Sequence, residues 1–354
     1  MKFLAVLCVR NEAAFLIEWL AHHRAVGFTD FLVFSNDCQD GTDTMLDRLA
    51  GMGVLTHIRN DGPYDQGGIQ FTALKQADRL DIVKAADWIL PFDVDEFVNI
   101  HVGDHRLPDL LAALPAATAI TLTWRLFGNA EVARYEDRPV TQQFTRAAPE
   151  VMYWPWRASM FKTLYRNDGT YRKLGVHRPR SPVTDRLEQS RWFDSSGREL
   201  DAKFRTERIF SSYGRPNNGL VQLNHYPLGA MESYVVKADR GRAVHSDHLL
   251  GLDYWVERNF NTDEDRTILA LAPAMEGERA ALMADPEIAR LHEAAVAWRK
   301  ARFEALLQQE PFRALFGRLL MAPPTRPVPL NAARFLVHHA NLGKSGNNSV
   351  AQEE

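Results

Sequence analysis

Apolar and polar positions fall into alternating blocks over the first hundred residues. Residues 3–9 form an unbroken apolar run, the mark of a short buried strand. Residues 12–26 switch to helical spacing: Phe15, Leu16, Trp19, Leu20 and His23 share one face, and Gly27 stands where the helix must stop. A second apolar run covers 31–34, followed by a loop of turn formers at 35–41. Residues 42–50 give a helix with Met45, Leu46 and Leu49 inward, 54–58 a third strand, 59–68 a glycine-bearing loop and 69–86 a helix. The run 88–92 is a fourth strand that enters a cluster of acids, Asp93, Asp95 and Glu96, and leaves it at Phe97.

Strands alternating with helices predict an α/β fold, a Rossmann-like sheet with helices on both faces and right-handed crossovers. Ligands of such sheets bind outside the carboxyl ends of the strands. Three polar loops belong to that edge: Arg10-Asn11-Glu12, Ser35 to Asp40, and Asp93 to Glu96. They are expected to converge on one crevice. Beyond Asn99 the alternation loosens. A short helix is read at 107–114, strands at 119–126 and 161–165, and an apolar run at 219–223 that leads into Asn224-His225-Tyr226-Pro227. Residues 180–212 are weakly patterned, and the chain is mostly helical from Met231 onward.

The acidic cluster carries the first chemical suggestion. If the fourth strand persists, Asp93 and Asp95 point the same way and can reach one cation. Two hard carboxylates suit Mn²⁺ or Mg²⁺ that also holds substrate phosphates. The competing reading is a solvated strand end with its acids in a turn. No glycine-rich phosphate loop follows the first strand, which disfavours a dinucleotide dehydrogenase or a P-loop enzyme.

Composition narrows the classes further. The chain has 354 residues, 45% of them hydrophobic, enough for a large core. The net charge of −3 gives no global basic field for nucleic acid. Two cysteines, Cys8 and Cys38, argue against a disulfide scaffold or a cysteine-rich zinc site. The first apolar run is cut by Arg10-Asn11-Glu12 and reads as a strand rather than a signal peptide. No run approaches the roughly 18 apolar residues of a membrane span. A cytoplasmic protein is expected, with possible peripheral contact at the inner membrane face. That contact would come from the basic segment 311–350, which holds Arg313, Arg318, Arg326, Arg334 and Lys344 and no acid; the competing and preferred reading of this segment is a solvated helical face.

Taken together, several pieces resemble the family-two-like glycosyltransferases of GT-A fold, in the branch with a D-x-D-E-F motif. They are Arg10-Asn11-Glu12, the helix from Glu18-Trp19-Leu20 through His22-His23 to Gly27, Asn36 to Thr42, Asp93 to Phe97, Trp124 to Asn129, and Asn224-His225-Tyr226. The resemblance covers residues 1–240. It implies a nucleotide-binding half at 1–100 and an acceptor half at 101–240; the residue pattern beyond adds a helical extension at 241–342 and a polar, disordered tail at 343–354. It also implies a nucleotide-diphosphate sugar donor, a Mn²⁺ or Mg²⁺ ion, inverting transfer to a glycan or lipid-linked acceptor, and a role in bacterial polysaccharide or glycan assembly. There is one departure. Many relatives carry an acidic pair after the second strand, where this chain has Ser35 and Asn36, with Asp37 next.

On this reading Arg10, Asn11, Glu12, Ser35, Asn36, Asp37 and Asp93 face the donor nucleotide. Asp93, Asp95 and His225 hold the metal, with Asp95 the more direct ligand. Glu96, Asp168 and His177 are the catalytic candidates, and Glu150 shares the acceptor side with Asp168. His177 is also a second candidate for the metal or diphosphate. Gly128 is expected to let the backbone approach a sugar, and Tyr153, Trp154 and Trp156 to stack on sugar faces or pack as core. Two other classes compete. Haloacid-dehalogenase phosphatases also open a strand end with Asp-x-Asp, but want Thr or Val where Phe97 stands. A non-catalytic sugar-binding protein would have a decayed site.

Overall fold

A computed structural model describes residues 1–64, 67–212, 214–240 and 250–350. Strands β1 (Phe3–Val9), β2 (Asp30–Ser35), β3 (Thr56–Arg59) and β4 (Trp88–Pro91) lie parallel in the order β3-β2-β1-β4. Helices α1 (Ala13–Val26), α2 (Thr42–Gly51) and α3 (Gly68–Ala77) fill the crossovers. The register brings Val9, Ser35 and Arg59 level, so the loops after β1, β2 and β3 open at one edge. Alternation along β1 feeds two cores. Phe3, Ala5, Leu7 and Val9 meet α1 and α2 on one face, while Leu4 and Val6 meet Ala73, Leu74 and Ala77 of α3 on the other.

The sheet continues in mixed sense through β5 (Glu96–Ile100), β6 (Ala119–Leu126), β7 (Phe161–Arg166), β8 (Trp192–Phe193) and β9 (Val221–His225). The order beyond β4 is β7-β6-β9-β5, with β8 beside the start of β6. β7 runs antiparallel to β4 and β6, β9 runs parallel to the end of β6, and β5 closes the edge antiparallel to β9. The expected GT-A-type architecture, a mixed sheet with helices on both faces and a helical C-terminal part, is what the chain adopts.

The helical part shares one core with the sheet and builds a second of its own. Residues Met275, Leu282, Ile288, Leu291 and Ala295, from α5 (Ala272–Met283) and α6 (Pro286–Leu307), join the cluster built by β1 and α1. Helix α4 (Met231–Arg240) packs beneath α6 and α7 (Glu310–Met321), with Tyr234, Trp255, Phe303 and Leu319 buried together.

Three readings of the sequence need correction. β4 stops at Pro91 instead of carrying its alternation through Asp95, because Asp93 to Glu96 closes into a turn (Glu96 N to Asp93 O, 3.0 Å). The helix read at 69–86 breaks after Ala77. Asp78 accepts the Leu174 amide at 2.8 Å and Leu80 is extended, so only a four-residue turn, Asp81–Lys84, follows. The tail expected to be disordered from Gly343 continues α8 (Leu330–Val350). Once its first turns are nucleated, adding a poor helix former costs less than starting anew. Residues 351–354 of that tail lie outside the described residues.

One clamp on the sheet comes from α1. His22 Nε2 donates to the Val98 carbonyl at 2.8 Å, and the Val98 amide donates to His23 Nε2 at 3.2 Å. The other nitrogen of His23, Nδ1, donates to the Trp19 carbonyl at 2.7 Å, which fixes its tautomer. Two adjacent imidazoles thus take the groups that the edge strand β5 would otherwise leave open. Burial pushes the pKa of His22 down to about 4 and that of His23 well below the usual histidine range, so both rings are neutral.

Candidate functional site

The carboxyl edge of the parallel strands opens into a cleft of about 570 Å³, within the size range of small-molecule sites. Its floor is the turn after β4. Phe92 N donates to Val6 O (3.1 Å), and beyond it the turn presents Asp93 on one side and Asp95 on the other. Asp93 is held by Lys162 of β7 (2.9 Å) and by Gln70 Nε2 (3.3 Å). Asp95 faces Lys237 of α4 (2.7 Å) and His225 at the end of β9 (Nε2 to Oδ1, 3.7 Å). Burial alone would push the Asp95 carboxyl up, but Lys237 and His225 hold it well below the usual carboxylate range.

Glu96 turns inward. It is fully buried, accepts Trp124 Nε1 at 2.7 Å and the Asp93 amide at 2.9 Å, and lies 3.7 Å from Lys162. Burial pushes its pKa well above the usual value. His225 stacks at 4.4 Å on Trp124, whose other neighbour at 5.9 Å is His177. His177 lines the cleft and donates Nδ1–H to Phe161 O at 3.0 Å, which leaves Nε2 as an acceptor. Burial and the Lys162 charge lower its pKa to about 4.

The opposite wall is basic. Arg10, Lys237, Arg240 and Arg258 line the cleft with Arg157. Arg240 bonds the Glu12 carboxylate and the Arg10 carbonyl (2.8 Å for the latter). Arg10 Nε is buried and has no hydrogen-bond partner among the described residues. The loops that carry this wall are stitched together. Asn11, at φ 53°, accepts the Gln39 amide at 2.7 Å. Asp40 receives the Ala13 amide and the Thr42 hydroxyl (3.0 and 2.5 Å), capping α1, and Thr42 Oγ1 receives the Glu12 amide at 2.9 Å.

With that geometry in place, the comparisons can be read. Residues 5–190 match glycosyltransferase family 92. The chain belongs to this family. A family 92 protein of Oryza sativa subsp. japonica is 24% identical over 149 residues, 40% of this chain and 24% of that protein. A second, from Ricinus communis, is 25% identical over 97 residues, 27% of this chain and 16% of that one. The match thus spans a quarter or less of the length of these relatives. Among solved structures, TarS 1–349 of S. aureus in complex with UDP-GlcNAc is 16% identical and covers 90% of this chain and 89% of that one, with a TM-score of 0.33. The same protein with UDP gives 15% identity, 87% and 92% coverage and a TM-score of 0.32. These structural likenesses are too loose to carry an inference. The family that matches is family 92; the narrower family-two-like, D-x-D-E-F assignment is not what the match names.

In this family 92 chain the sequence-derived residues divide sharply. Arg10, Glu12, Asn36, Asp93, Asp95, His177 and His225 all line the cleft. The expected triad of metal ligands is not drawn together, because the turn splays Asp93 toward β7 and Asp95 toward α4. Among the described residues no three His, Cys, Asp or Glu side chains gather tightly enough to cage an ion. Ser35 is buried and bonded to His57 (2.8 Å), which Asp47 orients (2.7 Å), while exposed Asp37 accepts the Tyr64 hydroxyl at 2.9 Å. Neither lines the cleft. Glu96 has both oxygens committed and is no base for a substrate.

Asp168 lies two residues past the end of antiparallel β7, where Arg166 pairs with Trp88 at the start of β4. That is the far end of the sheet from Asp93, roughly 16 Å away at 3.3 Å per residue. Glu150 pairs with Arg125 at 3.9 Å, and Arg125 points to the opposite face of β6 from Trp124. A Cβ on Gly128 would lie 2.3 Å from Asn261 Oδ1 and 2.5 Å from Phe260 O, so its bareness serves internal packing. Tyr153, Trp154 and Trp156 stay outside the cleft, although Arg157 and Met160 beyond them enter it.

The residues that sequence reading missed are the cations other than Arg10. Lys162 carries a signal, a lone charge inside the apolar strand FKTLY. Lys237 and Arg240 lie three apart on α4 and so share a face, close behind His225.

Proposed function

We propose that this protein transfers a glycosyl group from a nucleoside-diphosphate sugar to an acceptor hydroxyl, with inversion. The observation that carries this is the convergence of Asp95, His225, Arg10, Lys237 and Arg240 on one cleft at the carboxyl edge of a Rossmann-like sheet. A basic wall beside a fixed carboxylate is what a leaving diphosphate requires.

In the reaction the acceptor oxygen forms a bond to the anomeric carbon. The bond from that carbon to the diphosphate oxygen breaks, and its electron pair leaves with the diphosphate. Arg10, Lys237 and Arg240 stabilise the developing charge. His177, neutral and with Nε2 free to accept, orients the attacking hydroxyl and receives its proton. Asn36 and Glu12 border the donor's nucleoside end.

The residues fit a divalent ion. Asp95 Oδ1 and His225 Nε2 face each other across 3.7 Å at the cleft, an oxygen and an imidazole nitrogen suited to Mn²⁺ or Mg²⁺. Such an ion, when bound, would supply positive charge to the leaving diphosphate. Asp93 is paired with Lys162 instead.

We place the acceptor, a glycan or lipid-linked sugar, against the wall formed by Arg157, Met160, Ile209 and Phe210, in a role in polysaccharide or glycan assembly. No helix among the described residues is long and apolar enough to cross a membrane. Exposed Phe335, Leu336 and Leu342 beside Arg334 on α8 favour peripheral contact with an anionic lipid surface.

A thermal-shift screen of nucleotide sugars, with and without Mn²⁺, tests the central reading. A ligand that binds only the folded state raises the melting temperature. At least one diphosphate sugar is expected to do so, more strongly with Mn²⁺. A flat response to every nucleotide sugar removes the donor assignment.

A further inference from the structure

We infer that Lys237 is an exchangeable counter-ion: its ammonium neutralises Asp95 in the free protein and passes to the donor's diphosphate when a divalent cation takes that carboxylate. The inference rests on the donor reading above and deepens it.

The two lysines of the site are not equivalent. Lys162 is 1% exposed and lies between Asp93 (2.9 Å) and Glu96 (3.7 Å), with no face on the cleft. Moving it would strand a charge in the core. Lys237 is 15% exposed and borders the main cleft. It also borders a smaller cavity of about 50 Å³ behind Asp95, lined by Phe15, Phe97, Tyr226 and Arg299. Its Nζ is 2.7 Å from both Asp95 Oδ2 and the Pro227 carbonyl, so among the described residues two of its three N–H bonds are used and one remains. The Pro227 carbonyl can keep the stem anchored while the Asp95 bond is given up. One turn further along α4, Arg240 is fixed by Glu12 and the Arg10 carbonyl. A released ammonium therefore moves toward a wall already built for an anion.

Charge arithmetic gives the consequence. An ammonium and a divalent ion compete for one carboxylate, so Lys237 weakens cation binding in the free protein. With a diphosphate present the displaced ammonium gains phosphate oxygens, and the same residue then favours the cation. Coupling of this kind is reciprocal: cation and nucleotide strengthen each other through Lys237.

The test measures Mn²⁺ binding by the electron paramagnetic resonance of the free ion, and UDP and GDP binding by calorimetry, on the full chain. Lys237→Met keeps the stem, and Lys237→Gln serves as a second variant if the first folds poorly by circular dichroism. Free-protein Mn²⁺ affinity is expected to rise about tenfold in the variants, and diphosphate affinity at saturating Mn²⁺ to fall about tenfold, within the usual range of coupling. Asp95→Asn should abolish the Mn²⁺ signal in either background. Unchanged or weaker Mn²⁺ binding in both lysine variants overturns the exchange. Nucleotide binding without any Mn²⁺ binding, in wild type and variants alike, also overturns it and leaves the donor reading standing. Tighter Mn²⁺ with no affinity for any nucleoside diphosphate leaves only a competition for Asp95 and sinks both the exchange and the donor reading.

Discussion

The turn from Asp93 to Glu96 hands one carboxylate to each of two lysines, and the two sides are built on opposite principles. On the Asp93 side, Lys162 comes from the middle of a strand, and Trp124 and a backbone amide close the shell around Glu96. On the Asp95 side, Lys237 comes from a helix outside the sheet, His225 stands at 3.7 Å, and the carboxylate opens on the cleft. Both contain the same pair of residue types. What separates them is where the lysine sits, since both carboxylates line the cleft but Lys162 is 1% exposed and Lys237 15%. A cation buried in the core is expensive to leave unpaired, so it fixes geometry. A pair at the rim of a cleft can trade partners, so it can bind.

The sharpest way to break this comparison is Asp95→Asn. Turnover is expected to fall by about a thousandfold or more, with the circular-dichroism melt nearly unchanged, because an amide fills the same space without the charge. An unfolded variant would show that Asp95 belongs with the structural side. Lys162→Met should do the reverse. It leaves Asp93 and Glu96 facing each other without a cation, and stability should fall by about 3 kcal/mol in a urea titration. A stable, inactive Lys162→Met protein would move Lys162 into the catalytic set. His225→Ala comes next, with turnover and metal-dependent nucleotide binding each reduced about 10- to 100-fold. If neither changes, the ring serves only to pack on Trp124.

The smallest effect concerns pH. His22 has a folded pKa of about 4 against a usual value of 6.5. The folded state thus binds fewer protons than the unfolded one, and the stabilisation is complete above pH 6.5 and lost as pH falls toward 4. Between pH 7 and 5 the loss should be about 1–2 kcal/mol. Asp95, held low, stays ionised across that window and adds nothing to the slope. His22→Gln, which keeps a donor for the Val98 carbonyl, should flatten the melting-temperature profile. An unaltered profile in that variant would place the acid sensitivity elsewhere.

Much of the first hundred residues was legible because burial there follows local pattern. Alternating strand and helix blocks predicted β1 to β4, and the polar loops did meet at one edge. The pattern overran at β4 because Phe92 is apolar and buried against Trp19 and His23 of α1, and apolarity alone does not tell a strand residue from one covered by a helix. His225 and His177 could be nominated from their neighbours in sequence. Asp168 and Glu150 could not be rejected, since only the antiparallel sense of β7 and the facing of Arg125 show that they lie elsewhere. Lys237 and Arg240 sat unremarked in an amphipathic helix whose polar face looks like any solvated face until the cleft beneath it is seen.

Strand β5 ends the sheet, and an unpaired strand edge is an invitation to another chain. The rings of His22 and His23 occupy both hydrogen-bonding positions of Val98, so a neighbouring polypeptide finds nothing there to zip onto. Acid that charges His23 would turn its Nε2 from acceptor to donor and release the Val98 amide, while His22 would still donate to the Val98 carbonyl. The two histidines therefore shield a strand edge as well as brace it.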